Sequence, residues 1–284
     1  VQRQSWSARQ FYDDCVMARE TPPREPSQFV RHRAAVSAYG RQLTGVTRSE
    51  LGNRHLAYAM VFVAGAVNAV GFVAVAIYTS HMTGMTASVS DYVAVAEWGL
   101  IIPPATAIVS FVVGAASTAI LFNWMRRRDA AGRFALVLVI EALLILLFGL
   151  LANSLDAAGA EVLIVAVLGY VMGLQNALIT KVSGARIRTT HVTGMVTDIG
   201  IEIGKALYRN RRANLPPVQH DNAKLLLLTG MVLLFATGGV AGAGGYLLIG
   251  YPAVIPFAIV LLAAGLTPVF DDVRTARRLR GRPR

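Results

Sequence analysis

The chain is predicted to be an all-α polytopic membrane protein, six transmembrane helices arranged as two inverted three-helix repeats. Three observations predict it. Of 284 residues, 55% are hydrophobic and only 15% charged, with the charges clustered between long apolar runs. Those runs are close to the roughly 20 residues that a helix needs to cross about 30 Å of hydrocarbon. The stretch TSHMTG, Thr79 to Gly84, also returns as TTHVTG, Thr189 to Gly194, in a chain that holds only five histidines.

Residues 1–54 are polar, carry Pro22, Pro23 and Pro26 among nine arginines, and contain no apolar stretch resembling a signal-peptide core. They read as a cytoplasmic, mostly disordered basic tail. Apolar runs at His55 to Tyr78, Leu100 to Trp124 and Phe134 to Leu155 make a first repeat over 55–155. Val162 to Thr180, Leu225 to Gly244 and Pro252 to Phe270 make a second over 162–270, and 271–284 form another basic cytoplasmic tail. Lipid-facing backbone must satisfy its own hydrogen bonds, so six such helices leave no soluble core to build. Cys15, a single cysteine, excludes an intramolecular disulfide, and no Cys/His set has metal-ligand spacing. No metal or other cofactor is expected.

The 27 Lys and Arg fall as 9 before the first span, 4 in Arg126 to Arg133, 8 in Lys181 to Lys224 and 6 after the last, and the other three connections contain none. By the positive-inside rule both termini and the two basic loops face the cytoplasm. The net charge of +11 is therefore a topology signal first. The tail RTARRLRGRPR suits anionic inner-leaflet lipid better than nucleic acid, and no nucleic-acid partner is expected.

The repeat extends beyond the histidine motif. FVAGAVNAV, Phe62 to Val70, matches YVMGLQNAL, Tyr170 to Leu178, aligning Gly65 with Gly173 and Asn68 with Asn176 at an offset of 108, and two extra residues give the motif its offset of 110. Each unit is then an apolar helix with a Gly-x-x-Asn-Ala step, His-x-Thr-Gly, and two further helices. Three spans is an odd number, so the second unit enters the membrane inverted, with TSHMTG outside and TTHVTG inside, as the charges independently require. Inverted elements commonly meet near the midplane, so the two motifs are expected to line one shared polar region.

SHMTGMT and GLQNALITKVSGARIRTTHVTG also resemble the YoaK-type bacterial membrane proteins, a domain of unknown function with six predicted helices; the likeness runs from Leu56 to Phe270. It implies the six-helix architecture and a place in the bacterial cytoplasmic (inner) membrane, and brings no substrate with it. Two positions depart from that family's usual pattern. Asn68 stands where an aspartate is common, and Met85 where an asparagine often follows the Thr-Gly.

After each motif comes a stretch too polar for a lipid-facing span yet helical in pattern, MTASVSDYVAVAEW and MVTDIGIEIGKALY. These are expected to be half-length or interfacial helices. Thr83 and Thr193 would lie near the helix starts, where a hydroxyl accepts a backbone N–H, while Gly84 and Gly194 permit close approach of chain or ligand. Free N–H groups there favour an anion or polar ligand, and His81 and His191 suit proton coupling. A purely structural capping role fits the same residues, and a duplicated fold duplicates its caps. Asn68, Gln175 and Asn176 are amides inside apolar helices, serving either interhelical hydrogen bonds or a ligand. Glu141, about eight residues into the third span, is a further proton-coupling candidate without a counterpart in the sixth. Asp198 is placed to pair with Arg186 or Arg188. Gly169, Gly173 and Ala177, like Gly238 and Gly242, space small residues four apart, as close helix packing demands.

No catalytic set is present. GIEIGKA has three residues between its glycines and no Ser or Thr after the lysine, so it is not a P-loop, and neither HExxH nor Gly-x-Ser-x-Gly occurs. The chain therefore reads as a non-enzyme. The leading expectation is a secondary transporter of a small polar or anionic solute, with proton coupling open to it. The alternative is a non-transporting membrane scaffold or regulatory protein whose motifs are structural. The lipid bilayer, anionic lipid at the basic tails and one small solute are the expected partners, and a homo-oligomer is compatible with either reading.

Overall fold

A computed structural model describes residues 50–128, 133–154, 160–182, 190–209 and 216–266. These residues form helices and turns, with no strand among them. The helices are α1 (Glu50–Val75), α2 (Met82–Ala94), α3 (Ile102–Arg126), α4 (Arg133–Leu151), α5 (Ala160–Val182), α6 (Val192–Leu207), α7 (Asn222–Ile249) and α8 (255–266). α1 takes in the last five residues of the expected polar tail, 50–54. The rest of both basic tails, Cys15, Arg186 and Arg188 lie outside the described residues.

Local chemistry sets the helix ends. Ala76 follows α1 in the left-handed region, φ 57°, and its N–H closes on Phe72 O at 2.8 Å, turning the chain out of the helix. α3 opens with Pro103 and Pro104 in its first turn, where a missing N–H costs nothing. Asp221 caps α7 by accepting the Lys224 N–H at 3.0 Å, and Gly250, φ 71°, ends it.

Five helices, α1, α3, α4, α5 and α7, are long and apolar enough to cross a membrane. The sixth apolar segment, Tyr251–Leu266, is shorter than that, and the last four residues of its expected span lie outside the described residues. α2 and α6 have 13 and 16 residues. At 1.5 Å per residue they reach only about 20 and 24 Å, short of the roughly 30 Å needed to cross, in line with their polarity.

Leu56, Met60, Val63 and Val67 of α1 pack with Leu138 and Ile145 of α4 and Leu168 and Met172 of α5 in one buried core. α3 and α7 are peripheral: 17% of their apolar windows is buried, against 56–61% for α1, α4 and α5. Even so, the most extensive helix contacts are α3 on α5 and α7 on α1. Glycine explains how thin contacts become long ones. A methyl group at Gly65 would overlap Phe235 O, and one at Gly238 would overlap Phe62 O, so α1 and α7 touch backbone to backbone. Gly173 meets Phe111 O and Gly114 meets Tyr170 O in the same manner between α5 and α3. Gly238 and then Gly242 meet Phe62 O and then Ala66 O, and Gly169 and then Gly173 meet Ala107 O and then Phe111 O, so each pair is parallel. Gln175 of α5 donates to Met60 O of α1 at 3.3 Å, while the earlier Leu168 of α5 lies against the later Gly71 of α1, so α1 and α5 run antiparallel.

Gly238→Val is expected to lower the folded stability by roughly 1–3 kcal/mol, because the added carbons have only backbone to displace. Gly244→Ala in the same helix meets nothing within 4 Å and should leave stability unchanged. Thermal unfolding in detergent checks both, and equal midpoints would refute the close-contact account.

Candidate functional site

The Gly-x-x-Asn step and the histidine motif form one assembly in each half. Asn68 lies on α1 almost one turn beyond Gly65, and its Oδ1 accepts from Ser80 N at 3.1 Å and from Ser80 Oγ at 2.8 Å. Asn176 on α5 accepts from Thr190 Oγ1 at 2.7 Å while its Nδ2 donates to Met172 O at 2.8 Å. Ser80 and Thr190 each precede a histidine. His81 and His191 are the N-cap residues of α2 and α6, with φ/ψ of −91°/69° and −82°/49°. The asparagine amides therefore fasten the chain where each half-length helix begins.

The glycine of the motif serves the histidine. A methyl group at Gly84 would run into the His81 ring, and one at Gly194 would lie 3.1 Å from His191 Nδ1. Each imidazole thus lies back across the first turn of its helix, over the residue three positions on. Met85 and Met195, buried to 8% and 6% exposure, anchor the inner side of the same turn. His81, Thr83, His191 and Thr193 remain exposed on the outer side.

Thr83 and Thr193 lie near the helix starts as expected, at the second helical position, while the histidines occupy the N-cap positions. Neither histidine makes a side-chain capping bond, so α2 and α6 begin with N–H groups that no cap side chain satisfies. The motifs do not line the one shared region expected of them. Each follows the C-terminal end of its long helix, and because α1 and α5 are antiparallel, His81 and His191 stand toward opposite ends of the bundle. α2 packs on α3 and α6 on α7, with no extensive contact between α2 and α6.

His191 lines an open groove of about 310 Å³ with Phe111, Ala115, Asn176, Thr180 and Lys181, and no first-motif residue takes part. Gln175, next to Asn176 in sequence, faces the bundle interior and is fully buried. Its amide neighbours the carboxyl of Glu141, also fully buried, without closing a hydrogen bond of ordinary geometry. Among the described residues no hydrogen bond reaches either Glu141 oxygen or Gln175 Oε1. Among the described residues no three His, Cys, Asp or Glu side chains converge as a metal site.

Sequence reasoning missed a polar latch at the α6 end. Glu202, 1% exposed, accepts from Asp221 N at 2.9 Å and from Lys205 Nζ at 2.9 Å, and Lys224 Nζ lies 3.7 Å away. Lys224 also pairs with Asp198 at 3.2 Å. The Asp221 N–H, then Lys205 and the nearby Lys224 charge, hold the Glu202 carboxyl below the usual carboxylate range. Its stabilising effect is therefore present above that range and fades as pH falls through the lowered value. Glu202 and Lys205 stand three apart on a helix, which was the available signal, but their burial depends on α6 folding back against the start of α7. At the offset of 110, the first half has Ser88 and Tyr92 on α2 and Val95 just past its end.

Asn68→Ala is expected to cost roughly 1–3 kcal/mol, since it strips the acceptor from the Ser80 N–H and hydroxyl. Amide hydrogen exchange should speed up from Ala76 to Gly84, and Asn176→Ala should do the same around Thr190. Unchanged exchange at both sites would remove the amides' fastening role.

The family model described as "Protein of unknown function (DUF1275)" matches residues 56–267. Neither a curated protein nor a solved structure matches the chain. The matched region takes in both asparagine steps, both histidine motifs and every long helix, and the chain belongs to this family of proteins of unknown function, in keeping with its YoaK-type likeness.

Proposed function

We propose that this integral membrane protein is a secondary transporter of a small polar or anionic solute, built from two inverted three-helix repeats in a bacterial cytoplasmic membrane with both termini inside. The observation that carries the reading is the pair of histidine-led half-helices at opposite ends of the bundle, each fastened by an asparagine amide. Matched elements at the two ends are what alternating access requires of its gates. Contacts of one half also recur in the other with partners exchanged: Gly65 with Phe235 and Gly238 with Phe62 correspond to Gly173 with Phe111 and Gly114 with Tyr170. Burial agrees residue by residue from His81 to Ser90 and from His191 to Gly200. The charges add the orientation, since Lys and Arg flank α6 and none flanks α2.

In this reading the exposed first turns, with Thr83, Gly84, Thr193 and Gly194 beside uncapped N–H groups, receive the solute. Asn176 extends the α6 site into its groove, and Asn68 and Gln175 hold helices in register. His81, His191 and the buried Glu141 are the proton-coupling groups. No residue is given a catalytic role. The second reading, a scaffold or regulatory protein, is favoured by the apolar fill between the two ends and by amides already engaged with the chain itself.

Orientation is tested in a Cys15→Ser background. Ser90→Cys should react with a membrane-impermeant maleimide on intact cells and Tyr208→Cys only after permeabilisation, and the reverse pattern overturns the inverted arrangement.

Function is tested on purified protein. A thermal-shift screen of small metabolites should yield a stabilising polar or anionic solute, and its uptake into proteoliposomes should follow an imposed pH gradient. His81→Gln and His191→Gln should uncouple that flux while leaving the protein folded, and Thr83→Val and Thr193→Val should weaken affinity about tenfold. If these substitutions lower stability alone and remaining flux keeps its affinity and pH dependence, the scaffold reading replaces transport.

A further inference from the structure

The open groove between α3 and α5 ends in cations that no carboxylate offsets. The two helices run parallel and finish at the same end of the bundle, and the groove, about 310 Å³, leads from Phe111 to Lys181. On α3, Phe111, Ala115, Phe122 and Arg126 recur at spacings of four, seven and four, which sets them on one side of the helix. On α5, Ala177, Thr180 and Lys181 line the facing wall. Each wall therefore closes with a cation. Lys181 Nζ lies 5.6 Å from the centre of the Phe122 ring, a contact that keeps the ammonium at the groove's end, and Arg126 stands one turn beyond that ring. The ion pairs of the described residues all lie on α6 and the start of α7, so neither Lys181 nor Arg126 has an acidic partner among them.

Depth fixes what such a groove accepts. Trp124, 47% exposed beneath the Arg128 guanidinium at 4.1 Å, marks the headgroup level, where tryptophan gathers at the edge of a bilayer. From Phe111 to Phe122 α3 rises about 16 Å, close to one leaflet's half of the roughly 30 Å of hydrocarbon. A ligand matched to this shape has a negative end at the cations and an apolar tail one leaflet long. We infer that the groove holds one anionic phospholipid, its phosphate beside Lys181 with Arg126 one turn beyond, and an acyl chain running over Ala177 and Ala115 to Phe111. The larger groove at the other end of α3, about 680 Å³ with Trp98, Ile102 and Val109 in its wall, is lined by no Lys or Arg and has nothing with which to select a headgroup by charge. The basic tails attract anionic lipid diffusely, whereas this site joins charge to a shaped apolar wall. The lipid stands beside the α6 turn that the transport reading assigns to the solute, and its measurement needs no solute, so either can fail without the other.

The test titrates the full chain, purified in detergent, with phosphatidylglycerol, with phosphatidylcholine of the same acyl chains and with inorganic phosphate. It reads the unfolding midpoint and the lipid retained in native mass spectrometry. Phosphatidylglycerol should raise the midpoint saturably by a few degrees, with one tightly held lipid per chain, and the other two should not. Lys181→Gln changes an exposed side chain and should weaken that binding about tenfold, with Arg126→Gln adding to the loss. Ala115→Phe fills the groove without touching a charge and should expel the retained lipid. Arg209→Gln removes an exposed cation that does not line the groove and should leave the binding as it was. Should Ala115→Phe fail to fold, the two cation variants decide. Binding by the tails alone predicts a wild-type response in all four variants, and that result overturns the site. Equal protection by inorganic phosphate would make it a site for a free anion, and equal protection by phosphatidylcholine would remove the selection by charge; either outcome sinks the proposal, as does a midpoint that no lipid moves.

Discussion

Backbone contact through glycine is the constraint on which the rest of the bundle depends. Inside a bilayer, apolar side chains gain little by leaving lipid for one another, so helices associate where their surfaces fit closely. Gly65 and Gly238 supply that fit between α1 and α7, and Gly173 and Gly114 supply it between α5 and α3. The polar features follow from this placement. With α7 fixed on α1, its first turn presents the Asp221 N–H and Lys224 to Glu202 of α6. With α3 fixed on α5, Phe111 and Ala115 line the same groove as Asn176 and His191. The two interfaces differ at one matched step: Gly242 lies against Ala66 O, whereas Thr118 donates its hydroxyl to Leu174 O at 3.1 Å. One side gains its contact by removing a side chain and the other by spending one on a hydrogen bond.

The histidine motif has a geometric logic that holds whatever it binds. An N-cap histidine whose ring folds back over the first turn needs a glycine three residues on, and a chain turning sharply from a long helix into a short one needs something to hold it at the bend. Asn68 and Asn176 do the holding from one helical turn past the glycine contacts. The same short stretch of α1 or α5 therefore fixes a helix neighbour on one side and a half-length helix at its end.

Much of this architecture was legible in the sequence. Five spans announced themselves by length and apolarity, and the polar stretches after the motifs reported that α2 and α6 fall short of crossing. The small-residue spacing reported close packing but not its partners, because a helix with lipid on one face and protein on the other is apolar all round and shows no period. Thr83 and Thr193 were legible as first-turn residues, but which residue takes the N-cap position was not, since only the bend after α1 and α5 decides which residue enters first. The Asn68–Ser80 link was invisible, since it closes across a loop of no repeating pattern. A common midplane site was expected because inverted elements commonly dip inward to meet, whereas α2 packs on α3 and α6 on α7 with no extensive contact between them.

The exchange of partners between halves bears on how the chain is made. Synthesis delivers α1 ahead of the other described helices, yet the helix that covers its glycine face is α7, which follows α2, α3, α4, α5 and α6. α3 waits less, since α5 follows it after one intervening helix. During most of translation the Gly65 face of α1 must therefore rest against lipid or the insertion machinery. Assembly of the bundle has to end with late helices docking onto early ones, across the middle of the molecule rather than neighbour by neighbour.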